Sequence, residues 1–198
     1  MRGVKLIEGI ILAGGMSRRA GGNKLLWSVG DHTLIEHAVY GMRPYVDKIV
    51  VVTGAYHEAL SKQLSQWEDV TIVYNEQHPL GMFTSVKKGL SANQLDYHAI
   101  ILPADCPWVQ ASTYEVMIQP RPMMAVPTYQ GRRGHPIFVP SHLKQALLNE
   151  PNTTNLKQFR NTHGFLEIKT KEPYITTDID TAEDFEKVLR AIRKDDNF

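Results

Sequence analysis

Several features that mark large protein classes are missing from this sequence. It has a single cysteine, Cys106, with no intrachain partner, so no disulfide framework is available and nothing demands an oxidising compartment. No apolar run approaches the ~20 residues that a membrane helix requires, so no membrane association is expected. The start carries Glu8 within its apolar run, with Arg18 and Arg19 soon after, which fits no secretory signal; the cytoplasm is the expected location. An excess of one charge is lacking too: 22 Lys and Arg stand against 21 Asp and Glu without a basic or acidic block. A nucleic acid is therefore not the expected partner, because such binding neutralises many phosphates. Local phosphate binding stays open. Repeats, low-complexity tracts and linkers are absent as well, so the 198 residues are expected to form one domain spanning 1 to 198.

What is present is an alternation. Short β-branched runs at Val4 to Leu12, Lys48 to Thr53, Val70 to Tyr74 and Ala99 to Leu102 read as central strands. Helical spacing of apolar residues marks Leu34 to Tyr40, His57 to Trp67 and Ser85 to Leu90 between them. This order predicts an α/β fold: a three-layer α/β/α Rossmann-like, mostly parallel sheet whose ligands bind beyond the strands' carboxyl ends. After residue 105, Met123 to Thr128 and Ile137 to Val139 flank a glycine-bearing turn and suggest a β-hairpin excursion. Helices near Ser141 to Asn149 and Thr153 to Asn161, a strand near Phe165 to Lys169 and a closing amphipathic helix with Phe185, Val188 and Ile192 on one face follow. The end, Asp195 to Phe198, is expected to fray.

Five segments could carry chemistry. Leu12 to Lys24 follows the first strand and packs four glycines and three cations into thirteen residues. Glycines expose backbone amides to a ligand and fixed cations neutralise phosphate, so this reads as a polyphosphate loop; a solvated strand-to-helix turn is the plain alternative. It is neither a P-loop nor a G-x-G-x-x-G fingerprint. In Gly81 to Leu90, Thr84 or Ser85 could cap a helix or present a hydroxyl to a ligand. Asp105, at the end of the apolar strand 100 to 102 and followed by Cys106-Pro107, is either a turn-forming residue or a ligand for Mg2+ beside a triphosphate. Cys106 lacks a Cys-His motif and is expected to be a small buried residue. In Thr177 to Asp184, Thr181 suits an N-cap and Glu183 and Asp184 suit the helix dipole, which leaves Asp178 and Asp180 over. If extended, that stretch points both to one side with Ile179 behind. The fifth segment, Gly131-Arg132-Arg133-Gly134-His135-Pro136, lies on the hairpin turn. No histidine spacing suits a zinc hydrolase, and no G-x-S-x-G elbow is present.

The first loop resembles the L-x-x-G-x-x-x-R-x-G-x-x-K signature of nucleotidyltransferases with a glycosyltransferase-A-like fold, and more narrowly the molybdenum cofactor cytidylyl- and guanylyltransferases. The pattern falls on Leu12, Gly15, Arg19, Gly21 and Lys24, with Ala20 where that family usually has methionine. The resemblance runs from about residue 6 to 190 with all five segments in family order. It implies nucleotide binding by Leu12, Ala13, Gly14, Gly15, Arg19, Gly21 and Lys24, and by Gly81, Met82 and Ser85 of a stretch similar to the family's G-M-x-x-S. It implies catalytic roles for Arg19, Lys24, Asp105 and Asp180, with Asp105 and Asp180 as ligands for Mg2+ or Mn2+ and Asp178 in reserve. Arg133 and His135 resemble the R-G-H-P stretch near the acceptor. The implied reaction transfers a nucleoside monophosphate, by preference CMP from CTP, to a phosphorylated acceptor such as molybdopterin and releases pyrophosphate. A molybdoenzyme apoprotein is an implied further partner. Gly14 resembles the guanylyltransferase branch, so GTP is an alternative, as are a sugar-phosphate acceptor and a non-catalytic nucleotide-binding role in molybdoenzyme maturation.

Overall fold

The computed structural model describes the backbone of residues 7 to 192 and the side chains of 7 to 190. Val4 to Leu6 of the expected first strand, the expected frayed end and the side chain of Ile192 lie outside the described residues. The elements in chain order are β1 (Ile7–Ala13), β2 (Ser28–Val29), β3 (His32–Thr33), α1 (Leu34–Met42), β4 (Lys48–Thr53), α2 (His57–Gln63), β5 (Val70–Tyr74) and α3 (Met82–Ala92). They continue with β6 (His98–Pro103), α4 (Ala111–Met117), β7 (Met124–Tyr129), β8 (Arg132–Arg133), β9 (Ile137–Val139), α5 (Ser141–Asn149), α6 (Leu156–His163), β10 (Phe165–Lys169) and α7 (Ala182–Ile192).

One sheet runs in the order β10-β7-β9-β6-β1-β4-β5, with β8 paired to β7. The pairs of β1 with β4 and β6, of β4 with β5, and of β7 with β10 are parallel; β9 lies antiparallel between β6 and β7. The expected β-excursion is thus woven into the sheet. The turn after β7 makes a short hairpin with β8, and the chain then returns as β9 to pair with β6.

Both faces of the central strands are buried, which is why they read as continuous apolar runs and not as alternating ones. From β1, Ile7, Ile11 and Ala13 pack with α1, α2 and α4 through Ile35, Val39, Leu60 and Tyr114. Ile10 and Leu12 face the other way, onto Phe83, Val86 and Leu90 of α3 and Leu147 of α5. The helix α7 closes the first face, its Val188 meeting Leu34, Trp108, Tyr174 and Ile179. Two helix starts are fixed locally. Glu36 accepts hydrogen bonds from the backbone N–H and hydroxyl of Thr33 at 2.8 and 2.7 Å, and Asp184 does the same for Thr181 at 3.0 and 2.7 Å. Among the described residues no helix is long and apolar enough to cross a membrane.

Candidate active site

The carboxyl ends of β1, β4 and β6 lie side by side, and the chain leaves them as Gly14, Gly54 and Ala104-Asp105. The ladder extends one step, with Ala104 N–H donating to Leu12 O at 3.0 Å. A cleft of about 420 Å3 opens above these ends, lined by Leu12 to Arg19, Lys24, His78, Gly81, Met82, Ser85, Asp105 and Asp180 among others. The loop after β1, the start of α3, the end of β6 and the segment before α7 therefore meet in one place.

The cationic end of the cleft is tightly organised. Lys24 is 8% exposed, and its Nζ donates to Asp105 Oδ2 at 2.7 Å and Asp180 Oδ1 at 3.2 Å. Arg19, largely exposed, contacts Asp180 Oδ2 at 2.8 Å. Asp180 reaches this point because Ile179 N–H donates to Asp105 O at 3.1 Å, clamping the segment before α7 onto the end of β6. Ile179 is fully buried behind it. The two carboxylates share one ammonium and so converge on a single cationic position.

Asp178 points elsewhere. Its Oδ1 accepts from Cys106 Sγ at 2.8 Å, and His135 lies beside both, the potential ligand atoms of the three falling within 4.8 Å of one another. Burial, helped by the Asp178 and Asp105 carboxylates, pushes the Cys106 thiol well up, which favours its protonated form. Burial pushes His135 down, opposed by Asp178 and Asp105.

At the other end, Ser85 Oγ and Thr84 Oγ1 each accept from Asn75 Nδ2 at 2.9 Å, and Thr84 Oγ1 donates to Gly81 O at 2.8 Å. Thr84 thus secures the turn while Ser85 faces the cleft. A Cβ on Gly14 would stand 2.9 Å from Ser85 Oγ, so a larger residue there would have to turn the Ser85 hydroxyl aside. The two segments with conflicting base preferences in the sequence form a single wall. His78 was not singled out from sequence, yet it lines the cleft beside Gly14, and its buried Nδ1 has no partner among the described residues. Nothing in its sequence context, Gln77-His78-Pro79, marks it; only the fold of β5 and α3 brings it there.

Of the acceptor-side candidates, His135 is held by its backbone, its N–H donating to Ile175 O at 2.8 Å. Arg133 is exposed and bonded through Nε to Glu167 Oε1 at 2.7 Å. Both line a second cavity that adjoins the first.

A family model described as the MobA-like NTP transferase domain matches residues 9 to 166. The chain is 29% identical over 182 residues to the molybdenum cofactor cytidylyltransferase of Escherichia coli K12, covering 90% of this chain and 93% of that protein. It is 28% identical over 191 residues to a probable molybdenum cofactor guanylyltransferase of Bacillus cereus G9842, covering 84% and 93%. A Mycobacterium tuberculosis protein solved in complex with manganese shares the fold, with a TM-score of 0.75 and 20% identity over 93% of this chain and 98% of that one.

Proposed function

The chain belongs to the MobA-like NTP transferase domain family of nucleotidyltransferases, and from this premise we propose that it transfers CMP from CTP to the phosphate of a molybdopterin-type acceptor, releasing pyrophosphate. The observation that carries the reading is the convergence of Arg19, Lys24, Asp105 and Asp180 at one end of a cleft whose other end is the Gly14–Ser85 wall. A triphosphate laid along it has its base at the glycine–serine wall and its phosphates over the cations.

Two carboxylates already sharing one cation are a donor set that fits a hard divalent ion, which favours oxygen ligands. Asp105 and Asp180 would hold Mg2+ or Mn2+, which when bound neutralises phosphate charge. The chain's own groups do the rest. Arriving phosphates compete with the carboxylates for Arg19 and Lys24, so the cations turn to the nucleotide and the carboxylates are freed for the ion. An oxygen of the acceptor phosphate then attacks the α-phosphorus. The new P–O bond forms as the bond from that phosphorus to the bridging oxygen breaks, and pyrophosphate leaves with that electron pair. Arg19 and Lys24 stabilise the charge that builds on the transferred and leaving groups. Amide donors of the loop after β1 supply further positive potential.

The cytidine preference rests on the Gly81 to Ser85 and Arg133 to Pro136 stretches, similar to the cytidylyltransferase branch, and on the name of the Escherichia coli relative. GTP is the second reading, supported by Gly14 and by the name of the Bacillus relative. A molybdoenzyme apoprotein as recipient of the product, and a cytoplasmic setting, go with either. Pyrophosphate release with molybdopterin acceptor and Mg2+, measured for CTP, GTP, ATP and UTP in turn, should be fastest with CTP. Turnover with GTP alone would replace the base assignment, and no turnover with any of them would remove the acceptor.

A further inference from the structure

The second cavity, about 570 Å3, shares Leu12, Met82 and Pro103 with the nucleotide cleft, so the two adjoin. Its walls are apolar, with Phe83, Val86, Ile101 and Ile137. Two residues of this lining, Arg160 and His135, each carry a buried nitrogen without a hydrogen-bond partner among the described residues, Arg160 Nε and His135 Nδ1. Arg160 is only 7% exposed. Buried charges are as a rule paired, and buried donors bonded, because losing water without replacement is costly.

The neighbours of Arg160 do not supply that pairing. Its guanidinium lies 4.6 Å from the centre of the Phe165 ring, and that of Arg133 lies 4.8 Å from the same centre. A ring face interacts with the flat of a guanidinium and leaves its in-plane N–H donors unused. Glu167, the carboxylate whose field reaches Arg160, is bonded to Arg133. Burial and the Arg133 charge both push Arg160 below the usual guanidinium range, a direction that an incoming anion would reverse. His135 feels the Asp178 and Asp105 carboxylates, which favour its charged form, and Arg160, which opposes it.

We propose that Arg160 is the anion anchor of this cavity: it holds the phosphate of the acceptor, with His135 Nδ1 as second donor and the apolar walls against a flat heterocyclic body. The inference rests on reading the adjoining cleft as a site of nucleotidyl transfer to a phosphorylated acceptor. A phosphomonoester suits the pair because a planar guanidinium binds phosphate through two parallel hydrogen bonds. His135 contributes in the tautomer that carries its proton on Nδ1. Lys157, on the same wall of the cavity, adds positive potential.

Arg160→Met tests this, since it keeps length and apolar contact with Phe165 but removes the charge. Because no carboxylate is bonded to the guanidinium among the described residues, the variant should melt no lower than the parent. With molybdopterin varied at saturating NTP, its kcat/KM for acceptor should fall about 10- to 100-fold while KM for NTP is unchanged, and Arg160→Lys should recover part of the loss. A lowered melting temperature with normal acceptor kinetics would make Arg160 a structural cation and overturn the proposal, as would equal losses toward NTP and acceptor. A second readout does not depend on turnover. In 15N-arginine-labelled protein with a non-hydrolysable NTP analogue filling the first cleft, the Arg160 Nε–H resonance, assigned by its absence in Arg160→Met, should shift saturably on titration with inorganic phosphate. No shift overturns the anion site. A saturable shift in a protein that transfers nothing to molybdopterin upholds the site and removes only the acceptor assigned above.

Discussion

Lys24 stands between Asp105 and Asp180 and keeps two carboxylates from facing each other uncompensated. Lys24→Met should therefore lower the melting temperature in EDTA, and Mg2+ should restore more of it than Mg2+ adds to the parent protein. Turnover should drop by about 100- to 1,000-fold, as for other groups that meet charge developing in a transition state. Thermal melts with and without Mg2+, set beside kcat, check both parts; an equal Mg2+ effect on the two proteins would contradict the shared-cation geometry. The aspartates separate by partner. Asp105→Asn and Asp180→Asn, both close to isosteric, should nearly abolish metal-dependent turnover while circular dichroism stays native. Asp178→Asn, whose amide oxygen can still accept from the Cys106 thiol, should retain most of it. If Asp178→Asn is instead the damaging change, the second ligand is Asp178.

Among the elements, α3 matters twice, as a layer of the core and as the support for Met82 and Ser85. Gly89 sits where this helix crosses the sheet, and a Cβ there would come within 2.5 Å of Ile10 Cγ2 and 3.0 Å of Val52 Cγ2. Gly89→Ala should force α3 outward and destabilise by about 1 to 3 kcal/mol, the usual range for overpacking a filled core. The same shift carries Ser85 away from Gly14, so KM for NTP should rise more than kcat falls. Urea unfolding and steady-state kinetics on one preparation test the link; lost stability with unchanged KM would mean that the helix's amino end is positioned independently of its crossing. The helix α4 is short, and its start is fixed from outside it. Its cap comes from far away: Glu172 accepts the N–H of Gln110 at 2.9 Å and the hydroxyl of Thr113. The N-cap residue Gln110 makes no side-chain cap hydrogen bond of its own, so the cap in use is long-range.

For the molecule as a whole, that buried Glu172 makes stability depend on pH. Burial raises its carboxyl above the usual range, against the lowering effect of Thr113 and Gln110. A carboxyl raised in the folded state binds its proton more tightly there than in the unfolded chain. Its contribution is therefore full below the unfolded value of 4.5 and is lost as pH rises through the folded value. Glu172→Gln has no such proton to lose. The melting temperature of the parent should fall relative to this variant as pH is raised from about 4 toward neutrality. Parallel curves across that range would show that the folded carboxyl is not raised.

Sequence alone determined the layer architecture, because strands buried on both faces must be runs of Ile, Val and Leu, and helices that cover them must carry an apolar stripe. It also located the loop after β1, since four glycines with three cations is a composition that few structural needs explain. Local chemistry of this kind is written in neighbouring residues and needs no partner to be read. Tertiary structure decided the relations between distant residues. That Asp180 and not Asp178 meets Lys24 depends on a backbone hydrogen bond from Ile179 to Asp105. That Gly14 and Ser85 form one wall depends on how closely α3 lies on β1. That His78 lines the cleft and Arg160 Nε is buried with no partner among the described residues depends on which surfaces the sheet brings together. Burial and pairing are properties of the packed assembly, and no spacing within a single segment encodes them.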